Sequence, residues 1–197
     1  GAEPGLPDIL GMADSGYLTS ETMWDAFAKL DAAPARTVIL GGGPIGCELS
    51  QALARLGSKV TQVEMTDALL GREDDDVSAL ARAVLEEDGV TVLTGHKALR
   101  VEPGVLVADH GGAEVRLPFD ALIVAVGRRA RLTGFGLETI GVDTAKTVIT
   151  DAFLATKFPN IFAAGDVAGP YQFTHTASHQ AWYASVNALF GQFRKFR

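Results

Sequence analysis

The sequence predicts an α/β fold in which parallel strands alternate with helices. A β-branched and aliphatic run at 37–40 leads into Gly41–Gly46 and then into a helical repeat that ends at Gly57. A second strand is predicted at 59–64, a helix at 74–88 and a third strand at 90–93. This order is the βαβαβ unit of Rossmann-like domains, whose strands lie parallel in one sheet.

The elements before this unit are short. Residues 1–20 have no sustained hydrophobic period and are expected to form an extended lead-in. Ser20 is a plausible N-cap for a short helix through Leu30 that packs through Trp24 and Phe27. In the first helix of the βαβαβ unit, the apolar spacing predicts a stripe against the sheet, made of Ile45, Leu49, Ala52, Leu53 and Leu56.

The elements after the unit change in character. Residues 96–117 form short alternating segments with turns at Pro103-Gly104 and Gly111-Gly112, which predict an antiparallel β-meander. Residues 119–126 form a continuous apolar strand, and Gly127 follows it. Beyond it we expect a short helical turn from Leu137, strands at 147–150 and 160–164, and a helix at 175–189.

The glycine-rich turn predicts a dinucleotide-binding site. The pattern G-x-G-x-x-G fits Gly41, Gly43 and Gly46, and Glu64 stands at the end of the next strand. A helix N-terminus favours a diphosphate, and the Glu64 carboxylate suits the hydroxyls of the adenosine ribose but repels a 2′-phosphate. We therefore expect NAD(H) rather than NADP(H), although Arg72 offers a partner for a phosphate. The alternative is a tight turn without a ligand.

Composition and charge exclude several classes of protein. The net charge of -7 and the pI near 5.0 argue against a nucleic-acid or membrane-surface binder. No apolar run approaches a membrane span and no signal peptide opens the chain, so we expect a cytoplasmic protein. Cys47 is the single cysteine and is expected to be a buried small side chain.

No metal site is expected. The acidic run Asp74–Asp76 suits the positive end of a helix dipole without any ligand. His96 and His110 fall in or beside turns and are expected to be solvated loop residues.

Three ordered motifs carry a family likeness. GGGPIGCE at 41–48, LIVAVGRRA at 122–130, and NIFAAGDVAG at 160–169 with FTHTA at 173–177 together resemble the FAD-dependent pyridine nucleotide-disulfide oxidoreductases. This is the group of dihydrolipoamide dehydrogenase, glutathione reductase and mercuric reductase. The likeness covers nearly the whole chain.

The resemblance implies two cofactor sites. The positions that match the family's NAD site are Gly41, Gly42, Gly43, Pro44, Ile45, Gly46, Glu64 and Gly127. The positions that match its FAD site are Gly165, Asp166, Thr174, His175 and Ala177. Glu48 matches a glutamate that pairs with a flavin-side lysine, and that lysine lies in a segment this sequence lacks. No other catalytic residue is carried over.

The resemblance also implies a fragment. The sequence lacks the family's N-terminal FAD glycine motif, its C-x-x-x-x-C redox disulfide and its C-terminal dimerisation domain. We expect a linker at 1–20, an NAD(H)-binding domain at 21–128 and a returning segment of the FAD domain at 129–197. The intact parent is expected to be a homodimeric enzyme that passes hydride from NADH to FAD and on to a disulfide or another acceptor, and the fragment alone is expected to be inactive.

Two other functions stay open at this point. One is a stand-alone NAD-binding or redox-sensing module, which gives no reason for the motif at 160–169. The other is a self-sufficient nicotinamide dehydrogenase, for which His175 and His179 are the only candidate catalytic residues.

Overall fold

The computed structural model describes residues 1–196, which form two compact units. The larger unit covers residues 4–127, and the smaller unit covers residues 1–3 and 128–196. Residues 4–20, expected as an extended lead-in, thus belong to the larger unit.

The helices and strands have the following bounds. In chain order the strands are β1 (Ala2–Pro4), β2 (Leu18–Thr19), β3 (Arg36–Leu40), β4 (Lys59–Val63), β5 (Thr91–Leu93), β6 (Lys97–Glu102), β7 (Val105–His110), β8 (Ala113–Pro118), β9 (Ala121–Val124) and β10 (Arg128–Ala130). The helices are α1 (Met23–Phe27), α2 (Pro44–Arg55), α3 (Asp75–Glu87), α4 (Leu137–Ile140) and α5 (Thr174–Phe190).

A five-stranded parallel sheet organises the larger unit, with the order β2-β9-β3-β4-β5. Strands β6, β7 and β8 form a separate antiparallel sheet. The predicted α/β fold class, with its βαβαβ unit and antiparallel meander, is confirmed.

The two faces of the parallel sheet belong to two different cores. Because side chains alternate along a strand, Val38 and Leu40 face one side and Ile39 faces the other. Val38 and Leu40 pack with Leu106 of the meander, whereas Ile39 packs with Leu53 of α2 and Leu85 of α3. The sheet is therefore covered by helices on one face and by the meander on the other.

Charged side chains cross the outer face of the meander. Glu102 on β6 pairs with Arg116 on β8 and with Arg100, and Arg100 also pairs with Glu114. A hydrogen bond from Arg116 and a weaker one from Arg100 hold the pKa of Glu102 below its usual value. The pairs are solvent-accessible, so they respond to salt and pH more than the apolar cores do.

Several local expectations for the larger unit are wrong. The lead-in contributes strand β2, and Met12 is buried in the meander-side core. Helix α1 is only five residues long, its N-cap is Thr22 rather than Ser20, and Trp24 is 62% exposed. On α2 the buried positions are Gly46, Ser50 and Leu53, while Ala52 and Leu56 are exposed. The buried stripe is thus rotated towards small residues, because the glycine turn brings the start of α2 very close to the sheet.

The smaller unit contains little regular sheet. Strand β10 pairs with β1, a short 3-10 helix covers Gly165–Val167, and α5 is the longest helix of the unit. The strands expected at 147–150 and 160–164 are wrong, since each segment pairs through a single bridge, Thr144 with Val148 and Ala155 with Phe162. A strand needs a continuous neighbour, and these segments have only isolated pairings, such as the hydrogen bond from the Val148 N–H to the Val167 carbonyl oxygen in the 3-10 helix. Within residues 1–196, no helix combines the length and the apolar character of a membrane span.

Candidate functional site

The glycine turn lies where β3 ends, beside the ends of β4 and β9. Gly41 has φ +123°, and a Cβ there would lie 2.4 Å from the Ala125 carbonyl oxygen. A Cβ on Gly46 would lie 2.2 Å from the Gly41 carbonyl oxygen. The fold itself therefore requires glycine at these two positions, because no flexible side chain can move aside to relieve the clash.

Gly43 differs from its neighbours. Its backbone is extended, with φ −77°, and a Cβ there would meet no heavy atom within 4 Å. Its N–H, like those of Ile45 and Gly46, donates to no acceptor among residues 1–196, and Pro44 has no N–H at all. The packing of the protein does not explain glycine at this position, and free N–H groups at a helix N-terminus are a common binding place for anions.

Glu64 reaches back from the end of β4 to the turn. Its Oε2 accepts a hydrogen bond of 2.6 Å from the Gly42 N–H. A Cβ on Gly42 would lie 2.8 Å from Glu64 Cγ, so glycine at this position makes room for the carboxylate. The structure thus joins the sequence-predicted acid directly to the sequence-predicted turn.

The loop between β4 and α3 holds the turn from the other side. The Leu70 N–H donates to the Gly42 carbonyl oxygen at 2.8 Å, and Leu70 has the unusual φ of +50°. The Ser78 hydroxyl donates to the Leu69 carbonyl oxygen, which anchors the loop to α3. Both polar groups of Gly42 are therefore occupied, and the free donors of the turn are those that follow it.

Two polar side chains lie under the turn. Gln62 is fully buried, and its Nε2 donates to the Gly41 carbonyl oxygen at 3.0 Å and to Cys47 Sγ at 3.5 Å. Burial raises the pKa of the half-buried Cys47 thiol, which favours the unreactive protonated form. Sequence patterns did not single out Gln62; the available signal is that Gln62 lies two residues after the apolar Val60 and therefore on the same face of β4.

The remaining positions of the NAD set have clear places. Gly127 follows β9, has φ +127°, and accepts a 2.8 Å hydrogen bond from the Gly5 N–H. A Cβ on Gly127 would meet nothing within 4 Å. Glu48 is exposed on α2 and makes no ion pair with the described residues. The structure thus gathers the glycine turn, Glu64 and the end of β9 at one edge of the sheet.

The positions of the FAD set lie together in the smaller unit. Gly165 has φ +80°, and a Cβ there would lie 3.3 Å from Ala177 Cβ in the first turn of α5. Asp166 follows in the 3-10 helix rather than at the end of a strand. Thr174 and His175 are exposed at the start of α5, which has no side-chain cap.

A buried glutamine organises this second group. The Gln180 side chain is fully buried, its Oε1 accepts from the Gly165 N–H at 2.7 Å, and its Nε2 donates to the Gly169 carbonyl oxygen at 2.8 Å. It therefore fixes the loop that carries Asp166 against α5. No sequence pattern indicates this role, because a glutamine in a helix is usually exposed.

The histidines and acidic residues show no metal site. His96 is only 8% exposed and stacks on His110 with ring centroids 4.1 Å apart, so the expectation that it is solvated is wrong. Asp75 and Asp76 lie in the first turn of α3. In the part of the chain that the structure describes, no three His, Cys, Asp or Glu side chains converge as metal ligands.

Comparison with known proteins gives a consistent result. A family model described as pyridine nucleotide-disulphide oxidoreductase matches residues 1–181. The chain is 40% identical to a dihydrolipoyl dehydrogenase of Bacillus subtilis over 163 residues, which is 81% of this chain and 36% of that protein. It is 36% identical to a mercuric reductase of Streptomyces lividans over 199 residues, or 97% of this chain and 40% of that protein.

A solved structure is similar over almost the whole chain. The HOCl-induced flavoprotein disulfide reductase RclA from Escherichia coli superposes with a TM-score of 0.83 and 29% sequence identity, covering 99% of this chain and 44% of that one. The chain thus spans less than half the length of these relatives.

Proposed function

Because the chain belongs to the pyridine nucleotide-disulphide oxidoreductase family, we propose that its larger unit binds NAD(H) within a flavin-dependent oxidoreductase. The glycine turn and Glu64 hold the adenosine and diphosphate, and Gly127 lies beside the nicotinamide half. In the smaller unit, Gly165, Asp166 and Thr174–Ala177 form part of the FAD site.

The observation that carries this proposal is the free space at Gly43 combined with free N–H groups. Three donors, on Gly43, Ile45 and Gly46, have no acceptor among the described residues. They lie at the positive end of the α2 dipole, where a diphosphate gains both hydrogen bonds and a favourable field. The open space at Gly43 lets the diphosphate approach the backbone.

Glu64 supports NAD(H) over NADP(H). Its carboxylate faces the same turn and accepts hydrogen bonds, so it suits the hydroxyls of a ribose. A 2′-phosphate in the same place brings two like charges together, and no arginine or lysine pairs with Glu64 among residues 1–196.

The chemistry that the cofactors supply when bound is hydride transfer between nicotinamide and flavin. The residues of this chain bind and orient the two cofactors. The glycine turn and Glu64 fix one end of the dinucleotide, and the N-terminus of α5 offers positive potential to the flavin side. In the intact protein, electrons pass from the flavin to a disulfide or another acceptor. The intact protein is a homodimer in this proposal.

Calorimetric titration tests the nucleotide assignment. We expect the chain to bind NADH more tightly than NADPH, and Glu64→Arg to shift the preference towards NADPH. Glu87→Arg is the matched control, because it makes the same change of charge at an exposed position of α3 and should leave the preference unchanged. Tighter binding of NADPH by the unmodified chain refutes the assignment, and no binding of either nucleotide refutes the site.

A further inference from the structure

Thr66, two residues beyond Glu64, occupies one oxygen of the Glu64 carboxylate. Glu64 Oε1 accepts a hydrogen bond of 2.8 Å from the Thr66 N–H and another of 2.9 Å from the Thr66 hydroxyl. Glu64 Oε2 accepts from the Gly42 N–H. The carboxylate is therefore held at both of its oxygens before any nucleotide arrives.

These contacts leave one acceptor position free. A carboxylate oxygen accepts about two hydrogen bonds, so Oε1 is saturated by Thr66 while Oε2 has one place left beside the glycine turn. The free place lies on the oxygen that is bonded to the Gly42 N–H, next in the chain to Gly43. Thr66 thus decides which oxygen of Glu64 a ligand meets.

The backbone around Thr66 is fixed independently of its side chain. The Thr66 carbonyl oxygen accepts from the Gly95 N–H at 2.8 Å, and the backbone groups of Glu64 bond to Leu93 and His96 at 2.8 and 2.9 Å. Thr66 itself is exposed. Replacing its hydroxyl should therefore leave the loop in place and change only the hold on the carboxylate.

The hydroxyl has a second acceptor within reach. Thr66 Oγ1 lies 3.0 Å from the Ala68 carbonyl oxygen, yet a hydroxyl donates only one proton. The charged carboxylate is the stronger acceptor and takes that proton. Removing the hydroxyl therefore costs the carboxylate a charge-assisted hydrogen bond while the backbone bond of Thr66 remains.

Resting on the proposed function, we propose that Thr66 is a positioning residue that sets the choice between NAD(H) and NADP(H). Its hydroxyl holds Glu64 so that Oε2 meets a ribose hydroxyl. Because the Thr66 hydroxyl holds the carboxylate, Glu64 does not rotate away to relieve its repulsion of a 2′-phosphate. NADP(H) is therefore disfavoured. Thr66 acts on the nucleotide only through Glu64.

The test compares ADP-ribose with 2′-phospho-ADP-ribose, which differ only at the ribose that Glu64 faces. Thr66→Val keeps the size of the side chain and removes the hydroxyl, and Thr66→Ser restores it. Loss of one such hydrogen bond should weaken ADP-ribose binding about two- to tenfold. Binding of 2′-phospho-ADP-ribose should change less or become tighter, so that the ratio of the two affinities narrows, and Thr66→Ser should recover the ratio of the unmodified chain.

The outcomes separate this inference from the proposed function. Thr91→Val serves as the control, because Thr91 is exposed on β5 and has no side-chain hydrogen bond among residues 1–196. If the unmodified chain binds neither ligand, the nucleotide site itself is refuted. If it prefers ADP-ribose and Thr66→Val leaves that ratio unchanged, the positioning role is refuted. Equal weakening of both ligands with a lower unfolding temperature shows a structural role only, and that also overturns the inference.

Discussion

Substituting Gly43 by alanine should separate nucleotide binding from folding. Gly43 has φ −77°, which alanine adopts freely, and the added methyl group meets no atom within 4 Å. A glycine-to-alanine change in such a place usually stabilises a protein by about 0.4–1 kcal/mol, because the unfolded chain loses freedom. The apo protein should therefore be at least as stable as before.

The same methyl group should harm binding. It fills the space through which a diphosphate reaches the free N–H groups of the turn. Hydrogen bonds to a charged group are worth about 1.5–3 kcal/mol, so losing one weakens binding by about 10- to 150-fold. Stability and affinity should thus move in opposite directions.

Calorimetric titration with NADH and thermal unfolding without nucleotide measure the two effects. Gly71→Ala is the matched control, since Gly71 also has an ordinary φ and open space around its missing Cβ. Gly71→Ala should change stability by a similar amount and leave affinity unchanged. NADH affinity preserved in Gly43→Ala refutes the placement of the diphosphate, and a clear loss of stability refutes the inference that the space at Gly43 is open.

Two further predictions concern stability. Gln180→Ala leaves two buried peptide groups without partners, and each such group costs about 1–3 kcal/mol. Chemical denaturation should therefore show a large loss of unfolding free energy. The control Gln172→Ala, at an exposed position, should not show this loss. The folded-state pKa of Glu102 lies below its unfolded value of 4.5. Its contribution to the unfolding free energy is therefore complete above pH 4.5 and is lost as the pH falls through the folded-state pKa. Glu102→Gln should therefore flatten the acid-side fall in unfolding free energy, and an unchanged pH profile contradicts the role of its bonds with Arg116 and Arg100.

Local patterns made the turn and its acid predictable. The strand, the glycines and the helix from 37 to 57 are adjacent in the sequence, and parallel strands bring the end of β4 beside the end of β3. The meeting of Glu64 and Gly42 follows from that topology. The function proposed for the site rests on the comparisons and on the free N–H groups and open space at Gly43.

Contacts between distant side chains were not predictable. Gln62 and Gln180 are fully buried polar residues that bond to backbone groups far away in the chain, and no periodic pattern indicates such partners. The strands expected at 147–150 and 160–164 failed for a related reason, since an apolar run forms a strand only beside a continuous neighbour. The hold of Thr66 on Glu64 depends on rotamers that sequence spacing does not specify.

The position of β9 has a consequence for synthesis on the ribosome. Strands β3, β4 and β5 and the helices between them are continuous in the chain, so they can pair as soon as residue 93 has emerged. Strand β9 is made last of the five, yet it lies between β2 and β3 and joins Leu18 to Ile123 across more than a hundred residues. Until residues 121–124 appear, β3 has an unpaired edge. Apolar side chains that are buried in the folded protein, such as Val38, lie beside that edge. Such an edge pairs readily with other chains, so the nascent protein is most exposed to misassembly between the completion of β5 and the arrival of β9.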